Sequence, residues 1–146
     1  MAITSAICNS FKVEILKKIH DFTASSGDTF NLALYTSSAT LSKSTTAYAS
    51  TNEIANTSGS AYSAKGIALT SVTPVLSTDT AVCDFSNVSW TSASFTSRGC
   101  LIFNDTATGD PAVCAIDFGG DKTVTSGTFT IEFPAASAGT AIIGIA

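Results

Sequence analysis

The chain has a single histidine, a single tryptophan and a single methionine, and charged residues are only 12% of it, about half the usual share of roughly 25%. Each scarcity excludes something. With His20 alone, a Ser–His–acid or Cys–His arrangement has one available base, in a stretch whose apolar positions Phe11, Ile15, Ile19 and Phe22 are needed for a core. At that position the residue reads as structural or merely exposed. No Gly-x-Ser-x-Gly elbow, P-loop or dinucleotide-binding glycine pattern occurs. Cys8, Cys83, Cys100 and Cys114 form no Cys-x-x-Cys pair, which with one histidine argues against zinc. Seven scattered Lys and Arg in a chain of net charge −4 offer nucleic acid no basic stripe. No apolar run reaches the roughly 18 residues of a membrane span. Residues 1–20 interleave Asn9, Lys12, Glu14, Lys17 and Lys18 with apolar positions, unlike a cleaved signal. The expectation is a chain that stays in the cytoplasm where it is made, or leaves without a cleaved signal. Its thiols are free, and no catalytic residue, cofactor, metal, nucleic acid or membrane is expected.

What fills the chain instead is Ser, Thr and Ala. A surface of small neutral side chains suits packing against other copies or partners, because few charges must be desolvated on contact. An ordinary Ser/Thr-rich β protein has the same composition. At 146 residues the length fits one domain, 1–146, large enough to bury roughly 68–70% of its unfolded surface.

The organising stretch is Phe95–Phe118. It reads as two apolar strands, Arg98–Phe103 and Ala112–Phe118, joined by a loop containing Gly109, Asp110 and Pro111. Leu101 and Phe103 alternate with Cys100 and Ile102, so both faces are apolar and the strand belongs inside a sheet. Two registers are open: one sets Cys100 opposite Cys114, and a shift of one residue sets Arg98 opposite Asp117. The second is favoured, because opposite charges across strands contribute about 0.2–1 kcal/mol and a slip exchanges the faces.

Before this hairpin, Met1–Cys8 reads as a short, adaptable segment. A helix follows over 10–21, capped by Asn9 or Ser10, with Phe11, Ile15, Ile19 and Phe22 on one face and Lys17, Lys18 and His20 at its negative pole. Phe30, Leu32 and Leu34 alternate with Asn31 and Ala33 as in a strand. Residues 36–60, with landmarks Lys43, Tyr48, Asn52, Glu53 and Ile54, read as a long exposed excursion, either a binding surface or a solvated connection. Further strands are expected at Tyr62–Thr70, Val72–Leu76 (weakened by Pro74), Thr80–Phe85, Asn87–Ser94, Thr128–Phe133 and the closing AIIGIA, with a turn at Gly119–Gly120–Asp121. Trp90 is expected to anchor the core. The fold class is therefore mainly β: a two-sheet antiparallel β-sandwich, jelly-roll-like, with one N-terminal α-helix.

Few residues offer chemistry. Asp117 and Asp121, with Asp105 and Asp110 in the other loop, have the composition of a calcium site or a glycosidase pair, but turn formation explains them more simply. Asn56, Asn87 and Asn104 begin glycosylation sequons that a Ser/Thr-rich chain generates by chance. A glycan groove would draw on Tyr35, Tyr48, Tyr62 and Trp90.

Several stretches carry a resemblance: MAITSAICNSFKVEIL, SGDTFNLALYTSSATLSKSTTAY, TNEI, SAYSAKGIALTSVTP, SRGCLIFND, AIDFGGDKTVTSGTFTIEFP and AIIGIA. In order and spacing, over nearly the whole chain, they resemble a family of small virion structural proteins of tailed bacteriophages. The resemblance implies a capsid cement or decoration protein on the virion surface, assembled in the host bacterial cytoplasm. Its partners would be the major capsid protein and further copies of itself, as a homotrimer. The N-terminal segment or residues 36–60 would grip the shell. A tail or neck component, adaptor or receptor-binding, is the alternative, and a glycan-binding jelly roll ranks third.

Overall fold

The computed structural model describes residues 2–146; Met1, part of the expected adaptable segment, lies outside the described residues. The molecule is mainly β: two antiparallel sheets and one short helix, a β-sandwich. In chain order the elements are β1 (Ala6–Ile7), α1 (Asn9–Leu16), β2 (Phe30–Tyr35), β3 (Ile67–Ala68), β4 (Ser71–Ser77), β5 (Thr80–Phe85), β6 (Val88–Asn104), β7 (Ala112–Ile131) and β8 (Ile143–Ile145). The larger sheet runs β1-β7-β6-β2-β3 and the smaller β4-β5-β8.

The β6–β7 hairpin is the axis of the larger sheet, and its loop is the expected Gly109–Asp110–Pro111 reversal. Leu101, Ile102, Phe103 and Cys100 are all fully buried, as are Leu32, Ala33 and Leu34 on β2 beside them. Both faces of these strands are covered, as two apolar faces require. On one face Phe30 stacks on Phe22 at 4.3 Å and meets Phe85 of the smaller sheet at 5.9 Å. On the other, Phe103 stacks on Tyr48 at 4.7 Å.

Tyr48 belongs to residues 36–60, which are mostly exposed but carry ordered contacts to the sheet. Ala39, Leu41, Ile54 and Ser60 of this segment are buried, and Asn52–Ile54 runs along the edge of β2. Ala47 bridges to Pro111, Glu53 bridges to Tyr35, and the Ile54 N–H donates to the Leu34 carbonyl at 2.9 Å. Backbone groups packed against a sheet need partners, and these contacts supply them. Residues 2–8 are ordered too: Ile3 is buried and bridges to Leu41, β1 pairs with β7, and the Cys8 N–H donates to Val113.

Further expectations are revised. The helix is Asn9–Leu16 and not 10–21, and its N-cap is Cys8 with no side-chain cap. Side-chain capping by Asn9 or Ser10 is unnecessary at the entry, because the Asn9 N–H donates to the Lys43 carbonyl at 2.8 Å. The chain then reverses through Lys18 at φ 60° and delivers His20 to the interior against Phe11. Gly119–Gly120–Asp121 is no turn: it lies within the 20-residue β7, where Gly119 at φ +75° takes part in a bulge opposite Arg98. The expected strands Asn87–Ser94 and Arg98–Phe103 accordingly merge into the 17-residue β6, and Ala112–Phe118 and Thr128–Phe133 into β7. The register is one step beyond either considered: Cys100 opposes Ile116, Gly99 opposes Asp117, and Cys100 and Cys114 are diagonal neighbours on one face. Of the expected Tyr62–Thr70 strand, only Ile67–Ala68 pairs. Pro74 does sit in β4, at an edge and at a register shift, where a missing N–H is tolerated.

Val88–Ser97 pairs with Lys122–Ile131 as a two-stranded ribbon that continues the β6–β7 hairpin, with Val88, Trp90 and Ala93 in the core. One face carries Trp90, Phe95 and Phe129 in mutual contact, with Trp90 stacked on Tyr62 at 6.1 Å. The opposite face is neutral: the Ser89 and Thr130 hydroxyls meet at 2.8 Å, as do those of Thr96 and Thr123.

Candidate functional site

The aromatic residues considered for a glycan groove do not form one. Tyr35, Tyr62 and Trp90 are buried, and only Tyr48 is half-exposed. Three of them instead surround a carboxylate that the sequence left as a mere landmark. Glu53 accepts the Tyr48 hydroxyl at 2.6 Å, the Tyr62 hydroxyl at 2.7 Å and the Lys65 backbone N–H at 2.8 Å. Tyr62 also accepts the Leu34 N–H at 2.9 Å, and Tyr35 donates to the Ala49 carbonyl at 2.8 Å. Burial first, then the hydrogen bond to Glu53, pushes the Tyr48 phenol up to about 12. The same causes raise Tyr62, and burial followed by the charge of Glu53 raises Tyr35. Phenols held protonated are donors, so the cluster clasps residues 48–65 to the central strands.

The four aspartates considered as a cation or glycosidase site divide into two separate pairs, each satisfied by a basic side chain. Lys65 lies 2.8 Å from Asp105 and 2.9 Å from Asp110. Arg98 lies 2.9 Å from Asp117 and 3.9 Å from Asp121, so the expected Arg98–Asp117 pairing forms across the bulge despite the shifted register. The Arg98 bond, then the Gly119 N–H, holds Asp117 below the usual carboxylate range; bonds to Asp105 and Asp110 raise Lys65. No group of three or more His, Cys, Asp or Glu among the described residues is placed to hold a metal ion.

His20 is only 6% exposed and structural. Its Nε2 lies 2.9 Å from Glu14, and its Nδ1 lies 3.2 Å from the Asn104 amide nitrogen. The orientation of that amide follows from its partners. Asn104 Oδ1 accepts the Thr106 and Ala107 N–H groups, while Nδ2 donates to Asp28 at 2.7 Å. His20 Nδ1 therefore accepts and Nε2 donates. No hydroxyl or thiol completes a nucleophile arrangement in this hydrogen-bonded set, and Asn104, fully buried, is out of reach of glycosylation.

All four cysteines are free. Burial pushes Cys8 and Cys83 up to about 11 and Cys114 up to about 12, and also raises Cys100, so none is an activated thiolate. Cys100 and Cys114 help line an apolar cavity of about 610 Å³ between the larger sheet and residues 130–142, closed in part by Phe133 and Ile142.

What the surface does present is uncovered apolar side chains. Leu16 is 88% exposed and Leu76 71%, with Val13, Val72, Val75 and Ile145 also exposed. A groove of about 320 Å³ runs between α1 and β8. This apolar end, with the neutral ribbon face, is the candidate functional surface. No helix among the described residues is long and apolar enough to cross a membrane. No protein-family model, curated protein or solved structure matches this chain.

Proposed function

We propose that this protein is a structural component of a tailed-phage virion, acting as a capsid cement protein that bridges major capsid subunits on the expanded head. The observation that carries the reading is the β6–β7 ribbon. One face packs on the core, and the outward face carries the exposed, uncharged side chains of Ser89, Thr96, Thr123 and Thr130. Such a face docks with little desolvation cost, and ribbon edges without a neighbouring strand accept further pairing. Resemblance to small virion proteins supports the same reading from the sequence side.

In this mechanism nothing is cut or transferred. A protein that binds the expanded shell and not its precursor stabilises the expanded form by mass action. Copies gathered around a local threefold axis multiply one modest interface by avidity, which favours a trimer. The two segments expected to grip the shell lie side by side: the Thr4 N–H donates to the Leu41 carbonyl at 2.8 Å, and the Leu41 N–H to Ala2 at 3.2 Å. They form one surface.

The test is the temperature at which heads open, measured with and without added protein. Cement raises it. An unchanged opening temperature at saturating protein contradicts the proposal.

A further inference from the structure

The basic residues of this acidic chain are segregated. Lys65 and Arg98 are held by aspartates. Of the remaining five, Lys122 is on the ribbon, while Lys12, Lys17, Lys18 and Lys43 gather at the α1 end, all exposed. Lys43 is brought there by the bond from the Asn9 N–H to its carbonyl. Carboxylates near this end include Glu14, bonded to His20, Asp28, turned onto Asn104, and Asp21, which accepts the Thr23 N–H; Asp79 and Asp84 flank the part of β5 that pairs with β8.

The lysines frame apolar side chains. Lys12 and Leu16 are four residues apart on α1, as are Val13 and Lys17, so each pair shares a helix face. Val13 is 53% exposed, and Ile145 across the groove is 55% exposed. The groove is lined by Phe11, Lys12, Ile15, Leu16, Ile143 and Ile145. Cavities that share Ile15, Ile143 and Ile145 continue it towards Lys18 and β5. An apolar slot bordered by Lys12, and by Lys18 with Asp21 at its continuation, on a protein otherwise acidic, selects its partner by charge as well as by shape.

We propose that this end of the molecule is the surface that grips the shell. Its partner is an acidic patch of the capsid protein carrying an apolar side chain that enters the α1–β8 groove. This inference rests on the cement reading and makes it specific. A second copy meeting the same face across a twofold axis would set lysines against lysines, so like-charge repulsion disfavours self-association here. The N-terminal segment and residues 36–60, expected to grip the shell, adjoin this patch through the Asn9 N–H bond to the Lys43 carbonyl.

The experiment is binding of the full chain to heads assembled without it, at low and high salt. It compares wild type with Leu16→Asp and with Lys12→Gln/Lys17→Gln/Lys18→Gln/Lys43→Gln together. All the substituted side chains are exposed, and unchanged thermal melts establish that the variants fold. The expected result is a loss of affinity of roughly tenfold or more for Leu16→Asp. The quadruple variant loses a similar factor and most of the salt dependence. Wild-type binding that neither variant weakens overturns this inference and leaves the cement reading standing. Failure of the wild type to bind overturns the cement reading and this inference with it. Two controls bear on other occupants: if Leu16→Asp dissolves an oligomer seen by sedimentation, a second copy covers the face, and if wild type but not Leu16→Asp pellets with phosphatidylglycerol vesicles, a lipid surface does. Either result overturns the assignment.

Discussion

Tyr62 donates its hydroxyl to Glu53 at 2.7 Å and accepts the Leu34 backbone N–H at 2.9 Å with the same oxygen. One buried atom thus ties residues 36–60 to a central strand of the sandwich. Removing that oxygen leaves an N–H in the sheet and a carboxylate oxygen short of a partner. Tyr62→Phe is predicted to lower stability by about 1–3 kcal/mol, the cost of stranded buried groups. Denaturant unfolding at neutral pH measures it. Combining Tyr62→Phe with Glu53→Gln in a double-mutant cycle should show non-additivity, because the pair shares one network.

Gly66 distinguishes a glycine required by packing from one required by a turn alone. Its φ is +70°, and a Cβ there would lie 1.9 Å from the Leu32 carbonyl oxygen. Gly59 has φ +83°, with nothing within 4 Å of a Cβ. Gly59→Ala should cost about 1–2 kcal/mol for the left-handed backbone, whereas Gly66→Ala must also displace β2 and should cost clearly more. Comparison of the two melting temperatures tests this. Equal shifts would contradict the close approach.

Asn104 and Asn56 both begin sequons, yet the structure gives them opposite weights. Asn104 is fully buried and holds Asp28, Thr106 and Ala107; Asn56 is exposed. Asn104→Leu strands two N–H groups and a carboxylate, and the predicted loss is at least about 2 kcal/mol. Asn56→Ala should stay within about 0.5 kcal/mol of wild type. Chemical denaturation of both variants decides the matter.

Alkaline pH should destabilise the fold over a defined window. The native state holds protons on Cys8 and Cys83 up to about 11 and on Tyr48 and Cys114 up to about 12, against ordinary values of 9.0 for Cys and 10.0 for Tyr. Between those limits the native state binds more protons than the unfolded chain, so stability falls as pH rises. Raised Lys65 acts with the same sign. The measurement is urea midpoint against pH: flat to about 9, then declining through about 12. A midpoint flat across that range would contradict protonated native thiols and phenols.

The parts legible in the sequence were those with local causes. Alternation marked β2, and Gly109–Asp110–Pro111 marked the central reversal. Gly119–Gly120–Asp121 misled because a bulge and a turn use the same left-handed glycine; only cross-strand pairing with Ser97 and Gly99 distinguishes them. The register escaped because both strand faces are apolar, so a slip carries no hydrophobic penalty visible in the pattern. The helix was overextended because Ile19 and Phe22 kept its period, while the buried His20–Asn104 contact, 84 residues apart, pulled the chain round. Glu53 was invisible as a hub, since its partners are assembled by the fold rather than by spacing.

The most direct measurement of the cement role is co-sedimentation of the purified protein with expanded heads lacking it, counting bound copies at saturation. The proposal predicts saturable binding at hundreds of copies per shell, in a number fixed by the symmetry of the shell's local threefold sites. Absence of binding to heads, together with a few copies recovered on tails or necks, would contradict it.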